Sequence, residues 1–203
     1  MTPNEALDRG LAELVFALPA GARDKLLQYI ALLEKWNRTF NLTAIREPLE
    51  MVSHHLLDSL VVAPHLRLPA GGRLADVGSG AGLPGIPLAI ARPDWQVTLN
   101  DSNTKKTAFV RQAAIELRLA NVAVHEGRVQ DWRPAERFAA VISRAFAELS
   151  DFIAACRHLV APGGVLAAMK GAAPAPFDGA ETIRLNVPFL DAERHLVLVH
   201  LGD

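Results

Sequence analysis

A glycine-rich segment limits what this chain can fold into more than any other part of it. Its eight residues, Gly78 to Gly85, follow an apolar run at 74–77 that predicts a buried strand and precede a run at 86–91 that predicts a helix. Glycines at such a turn let backbone N–H groups approach a ligand that side chains would keep away. Because the segment also fits the G-x-G-x-x-G pattern, Gly80 and Gly82 are predicted to contact an adenosine-type cofactor.

A carboxylate in each of the first two predicted strands points to the same class of cofactor. The second strand-like run, residues 95–100, leads into Asp101, which is placed to accept hydrogen bonds from ribose hydroxyls. The alternative role for Asp101 is to cap the helix that begins at Asn103. Asp76 would repel a dinucleotide pyrophosphate, but it suits the cationic amino-acid part of S-adenosylmethionine or orients the glycine-rich segment. These residues favour S-adenosylmethionine, and a nicotinamide dinucleotide remains the alternative.

From residue 71 onward, short apolar runs alternate with helical patterns. Seven strands are predicted, at residues 73–77, 95–100, 121–125, 138–142, 164–169, 182–187 and 195–201. Helices are predicted between several of them, at residues 84–92, 103–118 and 148–160. This alternation predicts a mostly parallel sheet with helices on both faces, and the short link between the last two strands makes that pair antiparallel. The expected fold is α/β and Rossmann-like, with a C-terminal antiparallel hairpin that follows a Pro/Ala-rich loop at 172–179.

The chain before the sheet is predicted to be all helical. Residues 1–70 should form a helical extension, and residues 71–203 a single domain around the sheet. Three helices are predicted in the extension, at residues 3–17, 22–38 and 49–64. Thr2 and Glu5 fit a capping box at the start of the first helix, with a proline at its first position.

Composition excludes several classes of site. The single cysteine, Cys156, rules out an intramolecular disulfide and any zinc or iron–sulfur site that needs several cysteine ligands. No apolar run reaches the roughly 18 residues of a membrane-spanning helix. Residues 1–8 carry two acids and no base, unlike a secretory signal. We therefore expect a cytoplasmic monomer without a metal site or a membrane contact.

The formal net charge of −1 is unlike the basic excess of proteins that bind naked nucleic acid. Contacts to RNA would therefore come from local patches or require a structured particle. Four basic residues near the predicted cofactor site are candidates for such contacts: Lys105, Lys106, Arg111 and Arg128. The alternative for the first three is a solvated helix face.

Two further basic residues follow predicted strands directly. Arg144 comes after the strand at 138–142, and Lys170 comes after the strand at 164–169. Both therefore lie at the carboxyl edge of the sheet, where ligands bind in folds of this kind. We predict a catalytic role for both residues.

Asn41 and His55 are candidates for substrate binding, and each has a structural alternative. Asn41, in an Asn-Leu-Thr run, is equally suited to ending a helix. His54 and His55 are adjacent, so on a helix they point about 100° apart and would not easily ligate one metal ion. Helix packing or a polar surface would explain the two histidines as well.

Motifs along nearly the whole chain also carry a family resemblance. They are Asn41-Leu42-Thr43, His54 to Leu60, Asp76 to Pro87, Asp101-Ser102, Val141 to Phe146, Met169-Lys170-Gly171 and Glu193-Arg194-His195. In these motifs the chain resembles the bacterial glucose-inhibited division protein B family, which methylates N7 of a guanine in 16S ribosomal RNA. Two positions depart from the common pattern: Ala81, where many members have proline, and Asn100, where an apolar residue is usual.

The resemblance implies a class I methyltransferase fold, S-adenosylmethionine as the cofactor, and 16S ribosomal RNA within the small ribosomal subunit as the substrate. The cofactor contacts that it implies are Gly78, Leu83, Val129, Gln130 and Arg144. Guanine N7 has a lone pair and no proton, so its methylation needs positioning more than a general base. The alternatives are a nicotinamide-dependent oxidoreductase with the same glycine-rich segment, and a module that binds S-adenosylmethionine without turnover.

Overall fold

A seven-stranded sheet forms the centre of the structure, a computed structural model that describes residues 1–172 and 175–201. Its strands are β1 (Arg73–Val77), β2 (Gln96–Asp101), β3 (Val122–Glu126), β4 (Phe138–Ser143), β5 (Val160–Lys170), β6 (Ala180–Leu185) and β7 (Arg194–His200). They lie in the order β3-β2-β1-β4-β5-β7-β6. The first five pair in parallel and β7 pairs antiparallel with β5 and β6, so the predicted sheet and hairpin are confirmed. The predicted loop at 172–179 joins β5 to β6, and residues 173 and 174 of it lie outside the described residues.

Helices precede the sheet and cover both of its faces. Before β1 lie α1 (Pro3–Glu13), α2 (Ala22–Phe40), α3 (Pro48–Met51), a π-helical segment (Val52–Leu57), α4 (Asp58–Leu60) and α5 (Ala63–Leu66). Within the sheet region lie α6 (Gly85–Ala91), α7 (Thr104–Glu116) and α8 (Leu149–Cys156), with 3-10 turns at Val129–Asp131 and Arg157–Leu159. The predicted capping box of α1 is confirmed, because Thr2 and Glu5 bond each other's backbone N–H through their side chains. Among the described residues, no helix is long and apolar enough to cross a membrane.

Alternating side chains of the strands enter two hydrophobic cores, one on each face of the sheet, as the twofold period of a strand requires. Leu74, Ala140 and Ile142 lie in the core to which α1, α2, α6 and α7 contribute. Their neighbours Ala75 and Val141 lie in the core to which α8 contributes. With both faces covered by helices, the carboxyl edge of the sheet is left for loops and ligands.

The N-terminal helices share the first of these cores with the sheet. Tyr29 of α2 is fully buried near Phe109 of α7, with ring centroids 6.3 Å apart. Its hydroxyl donates a hydrogen bond of 2.7 Å to the carbonyl oxygen of Ala81, inside the glycine-rich segment. The helical extension is thus bonded to the segment that is predicted to hold the cofactor.

Two helices end earlier than predicted. α1 ends at Glu13, because Val15 takes a left-handed φ of 51° through which a right-handed helix does not continue. The helix predicted at 148–160 ends at Cys156, and a 3-10 turn leads from it into β5. Val160 belongs to β5 because it pairs with β4, and this sheet pairing outweighs the helical pattern of the local sequence.

The helix predicted over 49–64 is interrupted in its middle. The N–H of Asp58 donates to the carbonyl oxygen of Ser53, five residues earlier, so residues 52–57 form a π-helical turn. Such turns are rare, and many occur at functional sites. Here the turn precedes Asp58, which two arginines from other elements reach. The apolar periodicity of the segment gives no sign of this interruption.

Gly85, the first residue of α6, allows this helix to pack directly on β2. A β-carbon at Gly85 would lie 2.7 Å from Cδ2 of Leu99 and 2.8 Å from Oδ2 of Asp76, and both residues are fully buried. We expect Gly85→Ala to lower the free energy of unfolding by about 1–3 kcal/mol, the usual cost of overpacking a core. Chemical denaturation measures the change. Gly171→Ala is the matched control, because a β-carbon there meets no atom within 4 Å. Equal losses in the two variants would contradict the packing argument.

Candidate active site

The glycine-rich segment turns through left-handed backbone that favours glycine at three positions. Gly78, Gly80 and Gly82 have φ angles of 67°, 59° and 91°. A β-carbon on Gly78 would lie 2.6 Å from Cβ of Ala145, and one on Gly82 would lie 2.7 Å from Cγ1 of Ile86. Beside Gly80, no heavy atom of the described chain lies within 4 Å of that position. The chain is therefore closely packed around two of the glycines and open to a ligand at the third.

Asp101 holds the open part of the segment in place. Its Oδ2 accepts a hydrogen bond of 2.9 Å from the N–H of Gly80, and its Oδ1 accepts one of 2.9 Å from the N–H of Asn103. Asn103 is the residue that caps α7, because its Oδ1 accepts hydrogen bonds from the N–H groups of Lys105 and Lys106. The alternative role of Asp101 as the helix cap is therefore wrong.

Asp76 supports the segment from behind. The side chain is fully buried, and its Oδ2 accepts a hydrogen bond of 2.8 Å from the N–H of Gly85. Its Oδ1 is buried without a partner among the described residues. Burial raises the pKa of Asp76 to about 7, against the lowering effect of the Gly85 N–H. Of the two roles considered for Asp76, these contacts correspond to orienting the segment.

A cavity of about 580 Å³, here called the cofactor cavity, opens beside the segment at the carboxyl edge of the sheet. It is lined by Val77, Gly78, Asn100, Asp101, Ser102, Gly127, Arg128, Val129, Gln130, Ala145 and Phe146. Four predicted cofactor contacts, Gly78, Asp101, Val129 and Gln130, therefore lie together. A left-handed glycine turn, a carboxylate and apolar side chains are what an adenosine group with a ribose diol requires, so the residues present fit the cofactor. Leu83, also predicted as a contact, is 4% exposed and packs in the core.

Asn100, one of the two departures from the family pattern, stabilises the far wall of this cavity. Its side chain is buried, and its Nδ2 lies 2.9 Å from Nδ1 of His125 and 2.9 Å from the carbonyl oxygen of Gly127. The ring of His125 stacks on Trp132, with centroids 4.5 Å apart. An apolar residue at position 100 would lack these bonds. The polar substitution therefore links β2 to the segment that carries Val129.

A second cavity of about 580 Å³, here called the substrate cavity, adjoins the cofactor cavity across Phe146. It is lined by Arg144, Phe146, Ala147, Glu148, Leu149, Ser150, Met169, Lys170, Gly171, Ala172, Ala175, Pro176 and Phe177. Both residues predicted to be catalytic, Arg144 and Lys170, lie here, and neither lines the cofactor cavity.

Lys170 is engaged by the backbone that separates the two cavities. Its Nζ donates hydrogen bonds of 2.6 Å to the carbonyl oxygens of Phe146 and Ala147. Desolvation lowers the pKa of Lys170. These contacts are those of a residue that positions the wall between cofactor and substrate.

Arg144 takes part in an ion-pair cluster that the sequence patterns did not indicate. The carboxylate of Asp58, with a side chain 4% exposed, accepts one hydrogen bond on each oxygen, from Nη1 of Arg144 and from Nε of Arg194, both at 3.0 Å. Burial raises the pKa of Asp58, and the two arginines act against that rise. Asp58 and Arg194 both lie in motifs of the family resemblance, which was the one available signal, but neither spacing nor periodicity assigned them a role.

The structure places His55 and Asn41 apart from the cofactor cavity. His55 is buried, and its Nε2 lies 2.9 Å from Oγ1 of Thr43. Burial lowers the pKa of His55 to about 4, so the ring is neutral at pH 7. Asn41 ends α2 with a left-handed φ of 50°, so its helix-ending role is confirmed. Binding of substrate by either residue stays a prediction.

The four basic residues predicted to contact RNA differ in their surroundings. Lys105 is exposed and Lys106 half-buried on the first turn of α7, and Arg128 is exposed at the cofactor cavity. Arg111 donates to Oε2 of Glu126 at 3.0 Å, so part of its charge is already paired. Lys105 and Lys106 are therefore the pair best placed to meet an external phosphate.

Solved structures with the same architecture are methyltransferases. A S-adenosylmethionine-dependent methyltransferase from Aquifex aeolicus superposes with a TM-score of 0.58 and 16% identity, over 75% of this chain and 93% of that one. A predicted O-methyltransferase from Agrobacterium tumefaciens superposes with a TM-score of 0.54 and 24% identity, over 73% of this chain and 80% of that one. At such identities the likeness concerns the fold alone.

Sequence relatives match far more closely. The ribosomal RNA small subunit methyltransferase G of Burkholderia ambifaria is 54% identical, over 96% of this chain and 90% of its own length. The protein of the same name from Burkholderia cenocepacia is 52% identical, over 97% of this chain and 92% of its own length. The family model GidB, described as rRNA small subunit methyltransferase G, matches residues 22–184. The chain therefore belongs to the GidB family of small-subunit ribosomal RNA methyltransferases.

Proposed function

We propose that this protein transfers the methyl group of S-adenosylmethionine to N7 of a guanine in 16S ribosomal RNA. The observation that carries the proposal is the pair of adjoining cavities at the carboxyl edge of the sheet. One combines the glycine turn with Asp101, and the other is lined by Arg144 and Lys170. Membership of the GidB family supports a methyltransferase and ribosomal RNA over an oxidoreductase or a sensor without turnover.

The reaction needs alignment more than acid–base chemistry. S-adenosylmethionine supplies a methyl group on a sulfonium centre, and guanine N7 offers an in-plane lone pair without a proton. The work of the chain is then to hold both partners in register, which removes the entropy of alignment before the transfer. Phe146 lines both cavities, and Lys170 bonds the carbonyl oxygens of Phe146 and Ala147. The dividing wall is thus kept at a defined position.

The proposed substrate is a structured particle, the small ribosomal subunit. With a net charge of −1, the protein has little general attraction for phosphates at physiological salt. A few well-placed basic residues orient a folded target, whereas a flexible oligonucleotide must first lose conformational freedom. Activity should therefore be high on small-subunit particles and low on short guanine-containing RNA.

Methyl-labelled S-adenosylmethionine tests this function directly. Small subunits from a strain that lacks the protein are incubated with it and digested to nucleosides, and mass spectrometry identifies the labelled product. We expect label in 7-methylguanosine from one site. Label at another atom, or equal labelling of particle and short oligonucleotide at matched salt, would argue against the proposed substrate.

Asp101 should contribute strongly to cofactor affinity. Its carboxylate lines the cofactor cavity and holds the N–H of Gly80, so Asp101→Ala removes a ribose acceptor and loosens the turn. We expect a loss of about 1.5–3 kcal/mol, or roughly ten- to 150-fold in the dissociation constant for S-adenosylmethionine measured by calorimetry. Asp151→Ala, which removes an exposed carboxylate on the first turn of α8, is the matched control. Similar affinities in both variants would remove Asp101 from the site.

Arg144 should matter for transfer more than for stability. Arg144→Lys keeps the charge but loses the planar fork that meets Asp58 and the carbonyl oxygen of His54. We expect at least a roughly tenfold slower single-turnover rate, since this fork orients the substrate side. The melting temperature should change little. A near-normal rate would show that charge alone is sufficient at this position.

Lys105 and Lys106 should contribute to RNA binding without affecting the cofactor. The double change to Gln removes two charges near the cofactor cavity and should flatten the dependence of particle affinity on salt by up to about one unit per lost phosphate contact. Filter binding over a salt series measures this slope. Lys25→Gln with Arg118→Gln is the control, because these residues flank Gln96 at the opposite edge of the sheet. Equal slopes for the two double variants would exclude a specific contact.

A further inference from the structure

A third cavity, of about 360 Å³, lies on the far side of Arg144 from the cofactor cavity and is here called the basic cavity. It lies where the π-helical segment, the end of β5 and the start of β7 meet. Three cationic side chains line it, those of Arg144, Lys170 and Arg194, together with the single carboxylate of Asp58. The cavity therefore carries excess positive charge in a protein whose net charge is −1.

The carboxylate of Asp58 fixes both guanidinium groups without using up their donors. Each of its oxygens takes one hydrogen bond, from Nη1 of Arg144 and from Nε of Arg194. The other bonds of these groups go to the carbonyl oxygens of His54 and Glu193. Within residues 1–172 and 175–201, no acceptor is bonded to Nη2 of either arginine. The two side chains are 29% and 24% exposed, so these donors remain within reach of a ligand.

Two held guanidinium groups with spare N–H donors suit an anion with several oxygens. Guanidinium forks bind phosphate with planar, charge-assisted hydrogen bonds, and their preorganisation by a buried carboxylate reduces the entropy lost on binding. A carboxylate ligand would offer two oxygens in one plane, whereas the two arginines approach from different elements, β4 and β7. The arrangement therefore favours a phosphate group.

The position of the basic cavity relates this phosphate to the methylated base. Arg144, Met169, Lys170 and Gly171 line both the basic cavity and the substrate cavity. A nucleotide whose base occupies the substrate cavity would thus have its backbone within one residue's reach of the two arginines.

We propose that the basic cavity binds a phosphodiester of the ribosomal RNA next to the target guanosine. Arg144 and Arg194 contact the phosphate, and Asp58 is the positioning residue that holds them. The inference rests on the proposed function, since it assumes a guanine base in the substrate cavity.

Equilibrium binding of small-subunit particles tests the site without requiring turnover. Wild type, Arg194→Gln and Arg184→Gln are compared in the presence of S-adenosylhomocysteine over a series of salt concentrations. Arg184 is the matched control, because it is an exposed arginine on the neighbouring strand β6 and does not line the basic cavity. We expect Arg194→Gln to weaken particle binding about tenfold or more and to lower the salt slope by about one. The affinity for S-adenosylmethionine should not change in either variant.

Asp58→Asn tests the positioning role. The substitution keeps the shape of the side chain but leaves the two arginines without a shared counter-charge, so particle binding should weaken while exposed Arg184→Gln stays normal. The salt slope should fall as well, which a purely structural defect would not cause. Should Asp58→Asn fail to fold, the Arg194→Gln comparison alone decides the inference.

The outcomes separate this inference from the proposed function. Unchanged particle affinity and salt slope in Arg194→Gln would overturn the phosphodiester site, whether or not the wild type methylates. Normal changes in binding without methyl transfer by the wild type would leave the site standing and overturn the proposed function. Calorimetry with guanosine 5′-monophosphate distinguishes a free nucleotide: its binding, with particle affinity insensitive to Arg194→Gln, would assign the cavity to a phosphomonoester and contradict the proposal.

Discussion

Two carboxylates, Asp76 and Asp101, bond the backbone of the glycine-rich segment at its two ends. Gly80 donates its N–H to Asp101 on β2, and Gly85 donates its N–H to Asp76 on β1. Because both acceptors are on central strands, the turn is fixed to the sheet itself and not to its neighbouring loops. An unpaired N–H in such a buried turn would cost about 1–3 kcal/mol. The left-handed glycines, the packing of α6 and the opening of the cofactor cavity all depend on this attachment.

The helical extension is attached to the same site at two places. The hydroxyl of Tyr29 reaches the carbonyl oxygen of Ala81 on one side of the segment. On the other side Asp58, just after the π-helical turn, bonds Arg144 beyond β4 and Arg194 at the start of β7. The extension therefore does more than cover apolar surface, because it supplies the counter-charge for the basic residues at the carboxyl edge. Its irregular winding has the same explanation, since a regular helix would rotate Asp58 away from its partners.

The fold was predictable from sequence because its signals are local. Apolar runs of strand length, glycines at the first turn and a short final link together defined the strands, their direction and the C-terminal hairpin. The cofactor side was predictable for the same reason, because Gly78 and Asp101 follow strands directly and the carboxyl ends of parallel strands meet. Where helices end was less predictable. Val160 joins β5 through a pairing with β4 that is distant in sequence, and Val15 leaves α1 through a backbone conformation that its residue type does not favour.

The substrate side was less predictable because its contacts join residues far apart in the chain. Asp58 and Arg194 are separated by 136 positions, and Asp58 and Arg144 by 86, so no spacing rule connects them. The roles of single basic residues were also ambiguous, since position at a strand end does not say whether a side chain meets a ligand or the protein. Lys170 lies at the predicted edge, yet its ammonium group bonds two carbonyl oxygens of the dividing wall.

Charge is distributed in this molecule according to the same logic of paired and unpaired groups. Glu126 pairs with Arg111 on α7, and Asp94 pairs with Arg92, so much of the basic content is neutralised at the surface. At the basic cavity, by contrast, one buried carboxylate serves two arginines and leaves a net positive site. A protein of this kind gains little from long-range attraction, which salt screens, and more from contacts made after the target is already close. A net charge near zero is therefore compatible with a ribosomal RNA substrate, provided that the RNA arrives folded and the few cationic groups are held in position beforehand.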